Sequence, residues 1–439
     1  MSSFARSLRL LAGSTMALAS VTALHAQTQP NGVASGETTS NSSLLWARPN
    51  VAGPVTFEYS TDPLFGSILG SAVVNADGNV PVKASISGLD AGTQYYFRAV
   101  DAAGTSSVGR LKTAAAAGSF SGFRFGVSGD WRGDNHPQPF AKNVPSRNLD
   151  LWVALGDTIY ADVASQANGG QSQSQTVQEF RNKHEEVHTA RGGLNALVDL
   201  RASTSVFATI DDHEVTNDFQ GYAPTASDPR FAGDPAPFIN GTQLFNNGLQ
   251  AFQEWHPIDP KTWSGTGQDR HDGKPDLYRS QQYGKDATVI VTDARSFRDP
   301  GLPNADPLSP ASTANFLINS FDPTRTMLGK PQVDRVKADL LAAQQDQVTW
   351  KFVHVPEPIQ NLGVLNASDR FEGYSAERTE ILKFIDDHNI ENVVFVAADI
   401  HGTLVNDLQS QNGPFQPPFD SGAFALTTGP GPCDAPSRP

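Results

Sequence analysis

The chain has 439 residues, 38% hydrophobic and 18% charged, which is apolar content enough for two domains with cores of their own and too much for a disordered chain. Basic residues number 32 against 46 acidic ones, a net charge of −14 without a run of Lys or Arg, which excludes charge-driven binding to a nucleic-acid backbone. The one cysteine, Cys433, excludes an intramolecular disulfide and a thiolate metal cluster, so a metal here must be held by oxygen and nitrogen.

Residues 1–26 carry Arg6 and Arg9, then an apolar stretch from Leu10 to Leu24, then small residues to Ala26. That order is a secretory signal, and Gly13, Ser14, Thr15 and Ser20 make the stretch too polar and too short for a bilayer span of about 20 residues. The expectation is cleavage near Ala26, no membrane anchor afterwards, and an exported protein, periplasmic or extracellular. Arg6 and Arg9 are not adjacent, so no twin-arginine signal is indicated.

Residues 28–114 read as short β-type runs separated by Gly, Asp and Pro: Ser43 to Arg48, VTFEYS, VPVKASISGL, TQYYFRAV and SSVGRLKT. Alternation at this length predicts a small all-β sandwich. The low-complexity stretch around AAAAGS predicts a linker at residues 115–121.

Beyond it, residues 122–439 change to buried strands that each end in a polar cluster, with helices between. Phe123–Ser128 leads to Asp130, Leu149–Leu155 to Asp157, Val206–Ile210 to Asp211, Asp212 and His213, Thr288–Val291 to Asp293, and Asn392–Ala398 to Asp399 and His401. Apolar strands alternating with helices predict an α/β fold whose polar clusters converge at strand carboxyl ends. The stretch from Tyr222 to Gly241 reads as a long surface loop.

The constellation with chemistry is Asp130, Asp157 with Tyr160, Asp212 with His213, His354, and Asp399 with His401. Carboxylates and imidazoles of this kind suit two hard or borderline cations, and Asp157 can bridge a pair of the sort that serves phosphoryl chemistry. A single strand-end Asp is more often a helix cap and a lone His a core residue; four clusters in one context are not explained that way. His184 to His188 spell HEEVH, the pattern of zinc proteases with Glu185 as base, against which stands an ordinary amphipathic helix carrying Val177, Phe180 and Val187. The acidic, His-containing loop Asp269 to Asp276 reads as solvated, and Trp46, Trp152 and Trp350 read as packing residues.

Together these motifs resemble the PhoD-like alkaline phosphatases, within the metallophosphoesterases that include purple acid phosphatases. NGVASGETTSNSSLLWARPN, LDLWVALGDTIYAD, ATIDDHEVTND, LQAFQEWHP, VTDARSFRD, MLGKPQ, DRFEGYSAER and NVVFVAADIHG occur in that family's order. The resemblance implies an α/β metallophosphoesterase-type β-sandwich flanked by helices, preceded by a fibronectin III or Ig-like domain. It implies an exported hydrolase of small phosphate monoesters or diesters, attacked by a hydroxide held between two or more metal ions. Fe(III) and calcium are the implied pair, with zinc or manganese as alternatives.

Residue by residue, Asp157 matches the bridging carboxylate, Tyr160 the phenolate ligand of the ferric ion, and His401 a ligand of that same ion. Asp399 matches a ligand of the second metal, and Asp212 stands where the superfamily has an Asn ligand. His213 would contact the phosphoryl group or protonate the leaving oxygen. Asp130 stands where this family places a cysteine, a hard oxygen for a soft thiolate. His354 falls near the superfamily's additional metal histidine, and Arg132 could hold a phosphate oxygen. The sequence stops soon after ADIHG, earlier than PhoD-like proteins commonly do, which predicts a short variant or a truncated frame. The alternatives are a phosphodiesterase or phospholipase D-like hydrolase, a zinc protease through HEEVH, and a binding protein without turnover.

Overall fold

The computed structural model describes residue 29 and residues 31–429, so the expected leader at residues 1–26 lies outside the described residues. The N-terminal part forms β1 (Val33–Gly36), β2 (Ser42–Ala47), β3 (Gly53–Ser60), β4 (Gly70–Ala76), β5 (Val82–Ser87), β6 (Gln94–Asp101), β7 (Gly104–Thr105) and β8 (Gly109–Lys112). The remainder contributes β9 (Phe125–Ser128), β10 (Leu151–Leu155), β11 (Ser205–Thr209), β12 (Arg279–Tyr283), β13 (Ala287–Val291), β14 (Trp350–His354), β15 (Val393–Ala397), β16 (Leu404–Ser410) and β17 (Phe419–Thr427). Its helices are α1 (Val177–Val187), α2 (Ala196–Ser203), α3 (Gln243–Trp255), α4 (Pro310–Ser320), α5 (Lys330–Gln345) and α6 (Ser375–Asp387).

Two six-stranded sheets, ordered β5-β2-β1-β11-β10-β9 and β12-β13-β14-β15-β17-β16, face one another. Strands β10, β11, β13 and β15 are buried at every position because both of their faces are covered, which is why they read as unbroken apolar runs. Val153, Leu155 and Phe207 of the first sheet meet Val289, Val291, Val394 and Val396 of the second in the inner layer. On the outer face of the first sheet Trp152, Ala154, Val206 and Ala208 pack against α1, α2 and α3 through Phe180, Leu200 and Phe252. Ile290, Val353, Val393 and Phe395 do the same against Val336 and Leu340 of α5 and Ile381 and Ile385 of α6.

Strands β9, β10 and β11 are mutually parallel, as are β13, β14, β15 and β17, so their carboxyl ends share one edge in each sheet. This places the expected polar clusters at one rim of the sandwich.

The N-terminal strands are not a separate bead. β1 pairs in parallel with β11, Ser35 opposite Ser205 and Gly36 opposite Val206, so the first sheet runs unbroken from β5 into the larger part. A Cβ at Gly36 would lie 2.1 Å from the Pro257 carbonyl oxygen, and only glycine allows that approach. The sandwich is closed by β4-β3-β6-β7, with β8 on β6, over Leu45, Phe57, Ile86 and Phe97. The stretch expected as a linker begins at the core: Ala115, its first residue, is 9% exposed, and Ala114 just before it packs in the layer between the two large sheets.

Candidate metal centre

The turns that leave the parallel strands are sharp, and the residues expected to bind metal sit on them with left-handed backbone: Asp130 (φ 57), Asp157 (φ 53), Asp399 (φ 68) and His401 (φ 49). Left-handed conformation at several polar residues in one place is the kind of local strain that persists when side chains must point into a common site. The Asp157 turn is held from behind by Glu214, whose buried carboxylate accepts from the amides of Asp157 (2.9 Å), Thr158 (2.8 Å) and Asp211 (2.9 Å). The amides of Trp131 and Arg132 donate to the Asp157 carbonyl at 2.8 and 3.2 Å and tie the first turn to the second.

Two donor groups result, Asp130 with Asp157 and His401, and Asp157 with Asp212 and His213, each with ligand atoms within 4.8 Å of one another. Asp157 belongs to both. Tyr160 lies beside the first, its hydroxyl 3.4 Å from His401 Nε2, and its ring stacks on His213 at 3.8 Å. Asp399 sits at the same rim, its amide donating to Asp130 Oδ1 at 3.2 Å, and its carboxylate groups with Asp211 and Glu357. His213 Nδ1 pairs with Asp162 Oδ1 at 2.6 Å, and Asp162 Oδ2 in turn accepts from the Asn217 amide at 2.7 Å. Arg132 lies at the first turn with Nε 3.2 Å from Asp134 Oδ1.

Charge in this cluster is out of balance. Burial, aggravated by Asp212, Asp211 and Glu214, pushes the Asp157 carboxyl well above the carboxylate range, and burial raises Asp399 likewise. Burial also takes Asp130 up to about 7. Asp212 is the exception: burial acts against its charge, but Arg295 and His213 overcome it and hold the group at about 2. Burial and the nearby Asp157 and Asp130 carboxylates keep the Tyr160 phenol protonated far above its usual range. Buried acids crowded in this way ionise together only beside cations. Asp130 Oδ2, buried and without a hydrogen-bond partner, is a donor suited to one.

Several expectations are corrected. His354 joins none of the donor groups among the described residues; it ends β14 inside the sandwich, edge-on to Phe125 at 5.5 Å, and burial lowers it to about 4. The residue of that strand end that reaches the rim is Glu357. Asp293 forms a turn, accepting from the amides of Arg295 and Ser296 at 2.9 Å, and the reaching side chain there is Arg295. The loop Asp269 to Asp276 is not wholly solvated, since His271 is fully buried and stacks on Phe297 at 4.1 Å. Trp46 and Trp152 pack as expected, but Trp350 is 40% exposed.

The HEEVH segment forms the last turn of α1 and its C-cap, His188, in a helix whose start is capped reciprocally by Thr176 and Glu179, and both histidines are buried in the core. His184 stacks on Trp255 at 6.3 Å and His188 on the same ring at 5.7 Å, and burial holds both imidazoles neutral. Neither joins a metal-competent group among the described residues. Replacing His184 with Ala is expected to leave a cavity beside Trp255 and to lower unfolding stability by about 2–4 kcal/mol in a urea titration. Casein cleavage should be absent from both forms; cleavage present in the wild type and lost in the variant would reinstate the protease.

The sequence matches the family described as PhoD-like phosphatase over residues 128–430, and the PhoD-like phosphatase N-terminal domain over residues 15–115. It is 28% identical over 411 residues to alkaline phosphatase D of Bacillus subtilis (strain 168), covering 86% of this chain and 65% of that protein. This chain thus spans less than two thirds of the length of that curated relative. The fold superposes on the solved structure of PhoD with a TM-score of 0.71 at 23% identity, covering 92% of this chain and 77% of that one. It also superposes on the purple acid phosphatase PPD1 from yellow lupin (Lupinus luteus) seeds with a TM-score of 0.53 at 11% identity, covering 91% and 64%.

Proposed function

The chain belongs to the PhoD-like phosphatase family, and on that premise we propose that it is a metal-dependent hydrolase of small phosphate esters working at the rim centred on Asp157. The observation that carries this reading is the sharing of one carboxylate, Asp157, between two adjacent donor groups. Asp130, Asp157, Tyr160 and His401 would hold one cation; Asp157 and Asp212, with Asp399 at the neighbouring strand end, would hold a second. A donor set of oxygens with one imidazole suits hard or borderline ions, and Asp130 in place of a thiolate favours them further; ferric iron and calcium fit, as do zinc and manganese. Bound there, the cations would act as Lewis acids that lower the pKa of water and neutralise charge on the phosphoryl group.

The chain's own residues then position and protonate. Asp162 fixes His213 through Nδ1, which leaves Nε2 as the nitrogen that can give a proton to the departing oxygen. Tyr160, stacked on the ring, prevents it from turning away. Arg132, on a left-handed turn beside the Asp157 loop, would hold a phosphate oxygen. Export rests on the leader pattern of residues 1–26.

Proton competition supplies a test. Asp130 is raised by burial to about 7, so the stability it contributes without cations is present at acid pH and lost as pH rises through about 7. Cations that take over this carboxylate, with those of Asp157 and Asp399 that burial raises further, must displace protons below that pH and compete with fewer above it. The rise in melting temperature on adding cations to chelated protein is therefore expected to be larger at pH 8 than at pH 5.5. Equal shifts at the two pH values, or a larger one in acid, would mean that the cations do not bind at these groups.

A further inference from the structure

A third acidic group stands behind the two described above: Asp211 from the end of β11, Glu357 from the end of β14 and Asp399 from the end of β15 bring ligand atoms within 4.8 Å of one another. A positive charge already lies in it. Arg295, which comes after β13 and has a fully buried side chain, places Nε 2.5 Å from Asp211 Oδ1, Nη2 2.5 Å from Glu357 Oε1 and Nη1 2.9 Å from Asp369 Oδ2. The same Nη2 lies 3.7 Å from Asp399 Oδ1 and 3.8 Å from Asp212 Oδ2. Arg298, also fully buried, braces the arrangement from the other side, with Nη2 2.7 Å from Glu357 Oε1 and Nη1 2.6 Å from Asp369 Oδ1.

We propose that Arg295 is the resident cation of this third group and the positioning residue for the second metal, its guanidinium holding the Asp212 and Asp399 carboxylates at the spacing that cation needs. The inference rests on the two-cation reading above. Its physical basis is a charge fixed in direction: Nε and Nη1 are hydrogen-bonded to Asp211 and Asp369, so the rigid guanidinium presents Nη2, which has no hydrogen-bond partner among the described residues, towards Asp212 and Asp399 at ion-pair distance, which a lysine ammonium on a flexible stem cannot do. The effect is specific in space. Asp212 and Asp399 lie within 4 Å of Arg295, whereas no ion pair joins Arg295 to Asp130 or Asp157 among the described residues. Removing the guanidinium should therefore release the second cation and spare the first.

The experiment is calorimetric titration of chelated full-length protein with Mn²⁺ and Ca²⁺, separately, on wild type, Arg295→Ala and Arg295→Lys, with near-UV circular dichroism as the check on folding. In Arg295→Ala one of the two binding events is expected to lose affinity by about 10–100-fold while the other is retained. Millimolar methylguanidinium should restore much of the lost affinity, and Arg295→Lys should fall between the two. Unchanged affinities in folded Arg295→Ala overturn the proposal. Loss of both binding events together with the near-UV signal, with methylguanidinium restoring neither, also overturns it, because Arg295 would then be a core residue only. Absence of cation binding by the wild type would instead remove the two-cation reading itself.

Discussion

Replacing Asp157 with Asn is expected to lower phosphate-ester turnover of the metal-loaded protein by about 10³-fold or more and to leave the melting temperature of the chelated protein close to that of chelated wild type. The loss arises from the carboxylate's place in both donor groups, since its removal weakens two cations at once and each supplies several kcal/mol of charge stabilisation, of which about 4 kcal/mol already amounts to ~10³. The retained stability arises from the surroundings. Asp157 is 3% exposed among Asp130, Asp211, Asp212 and Glu214, and burial with these neighbours keeps its carboxyl neutral without cations, so a neutral isostere fits the same surroundings. Asn tolerates the left-handed backbone at φ 53, and its side-chain oxygen can still accept from the His213 amide as Asp157 Oδ1 does at 3.2 Å. Steady-state hydrolysis of the metal-loaded proteins, with calorimetric melting of both after chelation, checks both parts. Turnover kept within tenfold would take the bridging role away from Asp157, and a collapse of melting would make the residue structural.

The second large effect is expected at His213, and its signature is dependence on the leaving group. Deleting a general acid costs typically 10²–10⁴-fold when the departing oxygen needs a proton, and far less when it does not. His213→Ala is therefore expected to lose about 10³-fold on an alkyl phosphate and less than about tenfold on p-nitrophenyl phosphate, whose leaving group departs readily as the anion. Asp162→Asn should show the same skew at smaller size, because the 2.6 Å contact at Nδ1 is what keeps Nε2 as the donor nitrogen. The ratio of alkyl to aryl rates is the reading that matters, since a general loosening of the site would depress both together. A uniform loss on both esters would assign His213 to binding or to metal ligation rather than to proton transfer.

Much of the candidate site is legible in the sequence because the parallel strands announce themselves as unbroken apolar runs, and the residues just after each run must lie at the rim. Asp130, Asp157, Asp212, His213, Asp399 and His401 are expected in this way, and the structure sets Asp130, Asp157 and His401 in one donor group, Asp157, Asp212 and His213 in a second, and Asp399 in a third beside them. Asp162, Glu214, Arg295 and Glu357 are harder to find, since their roles depend on what meets them across the fold. Arg295 reaches Asp211 from 84 positions away, and Asp162 reaches His213 from 51. His354 and Glu357 are confused for a physical reason: one ends the strand and points between the sheets, the other lies three residues on, past the edge, and a rule that weighs residue type above strand position selects the wrong one. HEEVH misleads for a related reason, because its spacing puts two histidines on one helix face without saying that the face is inward. The joining of β1 to β11 is not legible at all: VASG is four residues long, buried throughout, and pairs with a partner about 170 residues away.

The most direct measurement is hydrolysis of p-nitrophenyl phosphate and of its bis-ester by purified protein, stripped with chelator and then reloaded with Fe, Ca, Zn or Mn, with Asp157→Ala treated in parallel. Turnover is expected to disappear on stripping, to return on reloading and to be absent from the variant at equal protein and metal concentration, with the ratio of the two rates separating monoesterase from diesterase. Folded, metal-loaded wild type that turns over neither ester, or turnover that survives in Asp157→Ala, would contradict a metal-dependent esterase centred on Asp157.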